Sequence, residues 1–245
     1  MERGGVPMPG EQRFPFRVVD LTHPLEAAGT RWPGDPETAR RTTAIRRYDG
    51  YALNEWTVGE HTGTHVGAPR HLSPEGADAA GVTARRLVVP LALVHLTRAA
   101  KKKHGYEVTV NDLLAEERAH GPITPGSLVT LVTGWSRRWP EPSKVFAKDR
   151  QGRLTHPGFG EEAARWLIDE RRVSGLGSDA PGVDPGPDEH FAAGRAVAQA
   201  GGVHVENLAR LEHVPARGAW VVLGLLPLVG GTGSPARVIA LVPRE

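Results

Sequence analysis

The sequence predicts a single α/β domain with a mixed sheet, and three observations carry that prediction. Short apolar, β-branched runs recur between residues 17 and 242. Three stretches with helical spacing, at 109–120, 160–172 and 189–200, are interleaved with them. The chain of 245 residues can bury one substantial core, and no internal repeat divides it. A mixed sheet carrying helices is the economical way to bury these faces.

Taken in order, residues 1–17 are rich in Gly, Pro and charge and read as a flexible leader, with the domain proper at 18–245. Arg-Val-Val-Asp-Leu-Thr at 17–22 is a first strand. Trp32-Pro33-Gly34-Asp35-Pro36 has turn chemistry throughout, so Trp32 sits on a rigid loop, either as the wall of an apolar pocket or as a packing anchor. Tyr51 to Gly59, which includes Trp56, alternates loosely as a strand. Leu87 to Leu96 is a buried strand with Pro90 at a bulge or edge and His95 at its end. The helix at 109–120 has a start signal at Asn111. Ser127 to Thr133 is a buried strand ended by Gly134-Trp135-Ser136, and the polar, Pro-rich stretch 139–157 is a long loop of the kind used as a lid. After the 160–172 helix and a strand at 173–176, Asp179 and Asp184 stand at a strand end, a place for site residues or for turn-forming Asp. In Val203-His204-Val205-Glu206, His204 and Glu206 share one strand face and the valines the other. Strands at 220–228 and 236–242 close the sheet, joined by a glycine-rich turn without phosphate-loop spacing.

Composition removes several function classes. With no cysteine, disulfides, thiolate metal sites and cysteine nucleophiles are excluded. Lys plus Arg total 30 against 28 acidic residues, so nucleic-acid binding gains nothing from net charge, and the run Lys101-Lys102-Lys103-His104 reads as a solvated turn. No apolar run approaches the roughly twenty residues that span a bilayer. The expectation is a cytoplasmic protein acting on a small molecule, without nucleic-acid or membrane partners.

The chemistry concentrates in His61-Thr62-Gly63-Thr64-His65-Val66-Gly67-Ala68-Pro69-Arg70-His71. Glycine, proline and β-branched residues argue against a helix here, and on an extended backbone His61, His65 and position 67 would share one face. Neutral imidazole is both a common metal ligand and a proton shuttle near pH 7, so a metal site and an acid/base site both follow.

With these eleven residues, the Trp32 loop, Thr133-Gly134-Trp135-Ser136, the turn 177–185, Val205-Glu206-Asn207-Leu208 and the tail 231–237, the chain resembles the cyclase family. Bacterial kynurenine formamidases and isatin hydrolases belong to that family. The resemblance implies a swivelling β/β/α fold, assembly into dimers or tetramers, and two divalent metals activating water against an amide or lactam carbonyl. The family pattern His-x-Gly-Thr-His-x-Asp-x-Pro-x-His lands on His61, Gly63, Thr64, His65, Pro69 and His71, but Gly67 stands at the bridging aspartate. Glu206 matches the family's glutamate ligand, whereas Gly194 stands where a metal-binding histidine is usual. The resemblance assigns proton transfer to His71.

Three functions follow. In the first, the metal centre is dismantled and no cofactor remains. His71, supported by His61, His65 and Glu206, then performs acid/base cyclisation, dehydration or isomerisation of a small aromatic or cyclic metabolite, with Trp32, Trp56 and Trp135 as apolar walls. In the second, an arylformamidase-like hydrolase keeps one zinc or manganese on His61, His65 and Glu206. The third is a non-catalytic binding protein on the same fold.

Overall fold

The computed structural model describes residues 14–96 and 103–244. The strands are β1 (Phe16–Asp20), β2 (Ala39–Ala44), β3 (Leu53–Thr57), β4 (His65–Gly67), β5 (Val88–His95), β6 (Glu107–Val108), β7 (Leu128–Val132), β8 (Gly158–Phe159), β9 (Gly175–Ser178), β10 (Val203–Glu206), β11 (Ala219–Gly224), β12 (Gly233–Pro235) and β13 (Arg237–Pro243). Nine of them form one sheet in the order β1-β13-β11-β5-β7-β9-β10-β4-β12. Its centre, β5-β7-β9-β10, is parallel, and both flanks are antiparallel, which makes the mixed sheet that the sequence predicts.

Strand alternation separates two cores. In β5, Leu91 and Leu93 join one apolar cluster while Ala92 and Val94 join the other. The first cluster also takes Val66, Val203, Val205, Val221, Val238 and Ala240, inner residues of the curled sheet. The second lies under three helices, α1 (Val110–His120), α2 (Glu161–Arg171) and α3 (Ala192–Gln199), through Leu113, Leu167 and Val197 among others. Because Val66, Val203 and Val205 commit their strands to the first core, His65, Gly67, His204 and Glu206 must point the other way.

Local chemistry sets the helix ends. α1 starts at Thr109, not Asn111, because Thr109 and Asp112 form a reciprocal capping box: Asp112 N–H donates to Thr109 Oγ1 (3.3 Å) and Thr109 N–H to Asp112 Oδ2 (2.8 Å). α3 starts beside the Asp184 carboxylate, which accepts from the N–H groups of Ala193 (2.7 Å) and Gly194 (3.1 Å).

Several expectations change. Of the proposed leader, residues 1–13 lie outside the described residues, but Phe16 and Arg17 belong to β1. Lys101 and Lys102 also lie outside them. Pro90 is on an interior strand rather than an edge, and β5 pairs with β7 only from Leu91 onward. The Tyr51 to Gly59 strand does not enter the main sheet: β3 pairs with β2 in a separate hairpin whose Tyr48, Tyr51, Leu53 and Trp56 are exposed. No helix among the described residues is long and apolar enough to cross a membrane.

Candidate active site

The register between β4 and β10 builds the site. The two strands are antiparallel, with His204 opposite Gly67 and Glu206 opposite His65. Directly opposed side chains on one face touch. His65 Nε2 accordingly lies 3.4 Å from Glu206 Oε2. Opposite a glycine there is no side chain to meet, and the His204 ring lies over the vacant position. An ideal Cβ on Gly67 would fall 2.0 Å from His204 Cε1 and Nε2.

His61 is not on the strand. It belongs to a turn that precedes β4, so strand parity does not explain its position. Gly63 has φ of +70°, a left-handed conformation that glycine adopts without a Cβ penalty, and this folds His61 back over His65. The rings of His61 and His65 are 5.0 Å apart, and those of His61 and His71 are 3.9 Å apart. Asn207 ties the turn down: its Nδ2 donates to Gly63 O (3.0 Å), and its carbonyl accepts from Thr64 Oγ1 (2.6 Å). His71 ends a single 3-10 turn, Pro69–His71, and is the most exposed of the four rings.

All four imidazoles and Glu206 line one cavity of about 630 Å³. Aromatic residues line it as well. Trp32 meets Phe146 edge-on at 5.7 Å, and Trp139 stacks on His23 at 4.4 Å. The long 139–157 loop supplies Trp139, Phe146 and His156.

The three tryptophans expected as walls divide. Trp32 lines the cavity. Trp56 does not, because it rides the exposed hairpin with its ring beneath Arg40. Trp135 is buried behind the wall, where its Nε1–H donates to Val145 O at 3.0 Å. Trp139, Phe146 and His156 were missed because a polar, aperiodic loop gives no sign of which side chains turn inward. His204 carried a visible signal, its shared parity with Glu206. Of the two aspartates, Asp184 lines the cavity and caps α3, while Asp179 is a structural acceptor between β7 and β9.

Burial governs the charges. It lowers the pKa of His61 to about 2, with the neighbouring His65 and His71 adding to the shift. It lowers His65 to about 4, and His204 well below the usual imidazole value. His71 is also lowered by burial, but the charges of Glu60 and Asp35 oppose that shift. Glu206 is pushed up to about 8 by burial and then by the Asp184 charge, and burial raises Asp184 to about 6. At neutral pH the His65–Glu206 contact is therefore a neutral imidazole against a protonated carboxyl.

Two hydrogen bonds orient the ring nitrogens. His65 Nδ1 meets Gly63 O at 3.0 Å, and a carbonyl can only accept, so Nδ1 carries the proton and Nε2 the lone pair. Thr232 Oγ1 donates to Glu60 Oε2, so at 2.9 Å it accepts from His61 Nε2, which leaves the His61 lone pair on Nδ1.

The paired metal centre that the resemblance implies does not fit these residues. Glycines at 67 and 194 offer no donor, and the space is taken: by the His204 ring at 67, and at 194 by Leu72 Cδ1 and Asp184 Oδ2, 2.6 and 2.7 Å from an ideal Cβ. A single ion does fit. One ring nitrogen from each of His61, His65 and His204 can be chosen so that all three lie within 4.8 Å of one another.

The buried groups predict the acid response of the metal-free protein. Imidazoles with depressed folded pKa values contribute stability that is complete above the unfolded value near 6.5 and is lost as pH falls. Glu206 and Asp184, raised on folding, act in the opposite sense. Below pH 6.5 the four most buried imidazoles (His61, His65, His156 and His204), joined by the shallower His23 and His71, outnumber the two carboxyls. Stability should then fall by about 2–3 kcal/mol per pH unit between roughly pH 6 and 4.5. Above about pH 7 the ionisation of Glu206 dominates and lowers stability gently. Thermal melts of chelator-treated protein should peak near pH 7; a flat profile from 4.5 to 6.5 contradicts this assignment.

Comparison with known proteins agrees with the geometry. The family model described as "Cyclase" matches residues 19–185. The chain is 28% identical over 244 residues to an isatin hydrolase of Roseibium aggregatum, covering 93% of this chain and 92% of that one. It is 26% identical over 224 residues to a kynurenine formamidase of Salinibacter ruber, covering 91% and 96%. Isatin hydrolase A of Ralstonia solanacearum superposes with a TM-score of 0.87 at 27% identity, covering 98% of this chain and 99% of that one. A structure described as a potential metal-dependent hydrolase with cyclase activity gives 0.70 at 27% identity, covering 94% and 99%. With a family model matching residues 19–185, more than half of its length, the chain belongs to the cyclase family.

Proposed function

We propose that the protein hydrolyses an amide- or lactam-type bond in a small aromatic or cyclic metabolite, with His71 as its proton carrier. The observation that carries this reading is one cavity lined by the imidazoles of His61, His65, His71 and His204, by Glu206 and by Trp32, Trp139 and Phe146. Relatives named for isatin, a lactam, and for kynurenine formamide hydrolysis support the same bond class.

The residues divide the work. The aromatic wall holds a flat substrate and excludes water. Glu206, protonated at neutral pH, can donate a hydrogen bond to a carbonyl oxygen. His61, His65 and His204 are held neutral, so they serve poorly as acids. His71, the most exposed of the four and with Glu60 and Asp35 favouring its charged form, is the imidazole suited to take a proton from the attacking water and return it to the leaving nitrogen. An ion on the imidazole wall would supply carbonyl polarisation and an activated water.

His71→Ala should lower kcat/KM on aryl formamides or lactams by about two to four orders of magnitude, with the melting temperature unchanged. Full activity in that variant would refute its role. A second reading, acid/base cyclisation, dehydration or isomerisation, is favoured by the glycines at 67 and 194. Reaction in ¹⁸O water separates the two, since hydrolysis leaves one labelled oxygen in the product acid and isomerisation leaves none.

A further inference from the structure

We propose that His61, His65 and His204 form a site for one zinc-class dication, and that Gly67 is the residue that makes room for it. Position 67 has lost a carboxylate relative to the family pattern, yet its volume is occupied by an imidazole from the facing strand. The exchange is a donor for a donor. A side chain at 67 and the ring at 204 cannot coexist as placed, so the glycine is a requirement of the histidine and not merely a loss.

The second support is that each ring keeps an unspent nitrogen. His61 Nδ1 and His204 Nδ1 are buried without a hydrogen-bond partner, and His204 is only 2% exposed. His65 Nε2, freed as an acceptor by the Nδ1 bond to Gly63 O, has only the Glu206 oxygen at 3.4 Å. Buried polar atoms are normally paired, and neighbouring imidazoles with open nitrogens are an unusual thing to leave in a core. Each fixed tautomer also has the outer support that metal-bound histidines show: Gly63 O behind His65, and the Thr232–Glu60 pair behind His61. A set of three neutral nitrogens selects zinc or another borderline first-row dication over magnesium or calcium. Glu206 lies beside this set, against His65, rather than within it.

This inference deepens the proposed function and rests on it for the use of the cavity, but the two fail separately. Binding is read without turnover, and turnover on amides is read without reference to the ligands. Chelator-treated full-length protein is titrated with Zn²⁺ and with Co²⁺, following stoichiometry by calorimetry and the visible Co²⁺ bands. One ion per chain is expected, with affinity reduced about a hundredfold or more in His204→Ala, since even an outer-shell change costs 10–100-fold. Glu206→Gln, a change beside the ligand set, should cost less than His204→Ala does, at most about 10–100-fold. Two ions per chain, no ion, or undiminished affinity in folded His204→Ala overturns the proposal. Should that variant not fold, ¹⁵N spectra of the wild-type histidine rings decide. Three imidazoles must shift as the ion binds, and two or fewer overturn it.

Discussion

Gly67→Asp should destabilise the protein by about 3–5 kcal/mol, combining overpacking with a buried charge that has no cation beside it. At this chain length that loss lowers the melting temperature by on the order of 10 °C. The family pattern alone suggests the opposite, a gain of the missing ligand. The structure predicts a collision, because the new Cβ would sit 2.0 Å from two atoms of the His204 ring, so that buried ring must leave its place and turn into the cavity. Gly67→Ala isolates the steric part and should cost about 1–3 kcal/mol. Pairing Gly67→Asp with His204→Gly should recover most of the loss, because the carboxylate then enters the volume the ring vacates. Denaturant melts of the parent, Gly67→Asp, His204→Gly and the double variant give the coupling energy directly. Additive single and double variants, or a Gly67→Asp protein as stable as the parent, would show that the ring does not occupy that space.

Asp179→Ala should be the other large loss, about 3–5 kcal/mol, because several buried donors lose their acceptor together. The carboxylate accepts from Thr133 N–H at 2.9 Å, Thr133 Oγ1 at 2.6 Å and Gly134 N–H at 2.8 Å. It is the brace between the ends of β7 and β9. Chain leaving β7 past this brace runs through Trp135 to Trp139 and the aromatic wall, so activity should fall with stability. Asp179→Asn keeps one accepting oxygen but turns an NH₂ toward donors, so it should fall between the parent and the alanine variant. A cost under about 1 kcal/mol in denaturant melts of Asp179→Ala would mean that water replaces the carboxylate.

The sheet was legible because its strands are short, β-branched and bounded by Gly and Pro, and because valines at 66, 203 and 205 mark one buried face by period two. The helices were legible from their spacing, and the imidazole stretch from its density. Helix starts were less so. Thr109 outcompetes Asn111 as a cap only because Asp112 returns its hydrogen bond. Trp56 and Trp135 were placed by residue type, and residue type cannot say whether an indole faces a cavity, solvent or the layer behind.

By itself the sequence determined that His65 and position 67 share one strand face, that His204 and Glu206 share another, and that a carboxylate and an imidazole of the family pattern are absent. Only the tertiary structure decided that these two faces are the same face, in a register that sets His204 over Gly67. The reason is that alternation along a strand is a local consequence of backbone geometry, whereas register between strands 137 residues apart is chosen by the packing of the whole sheet.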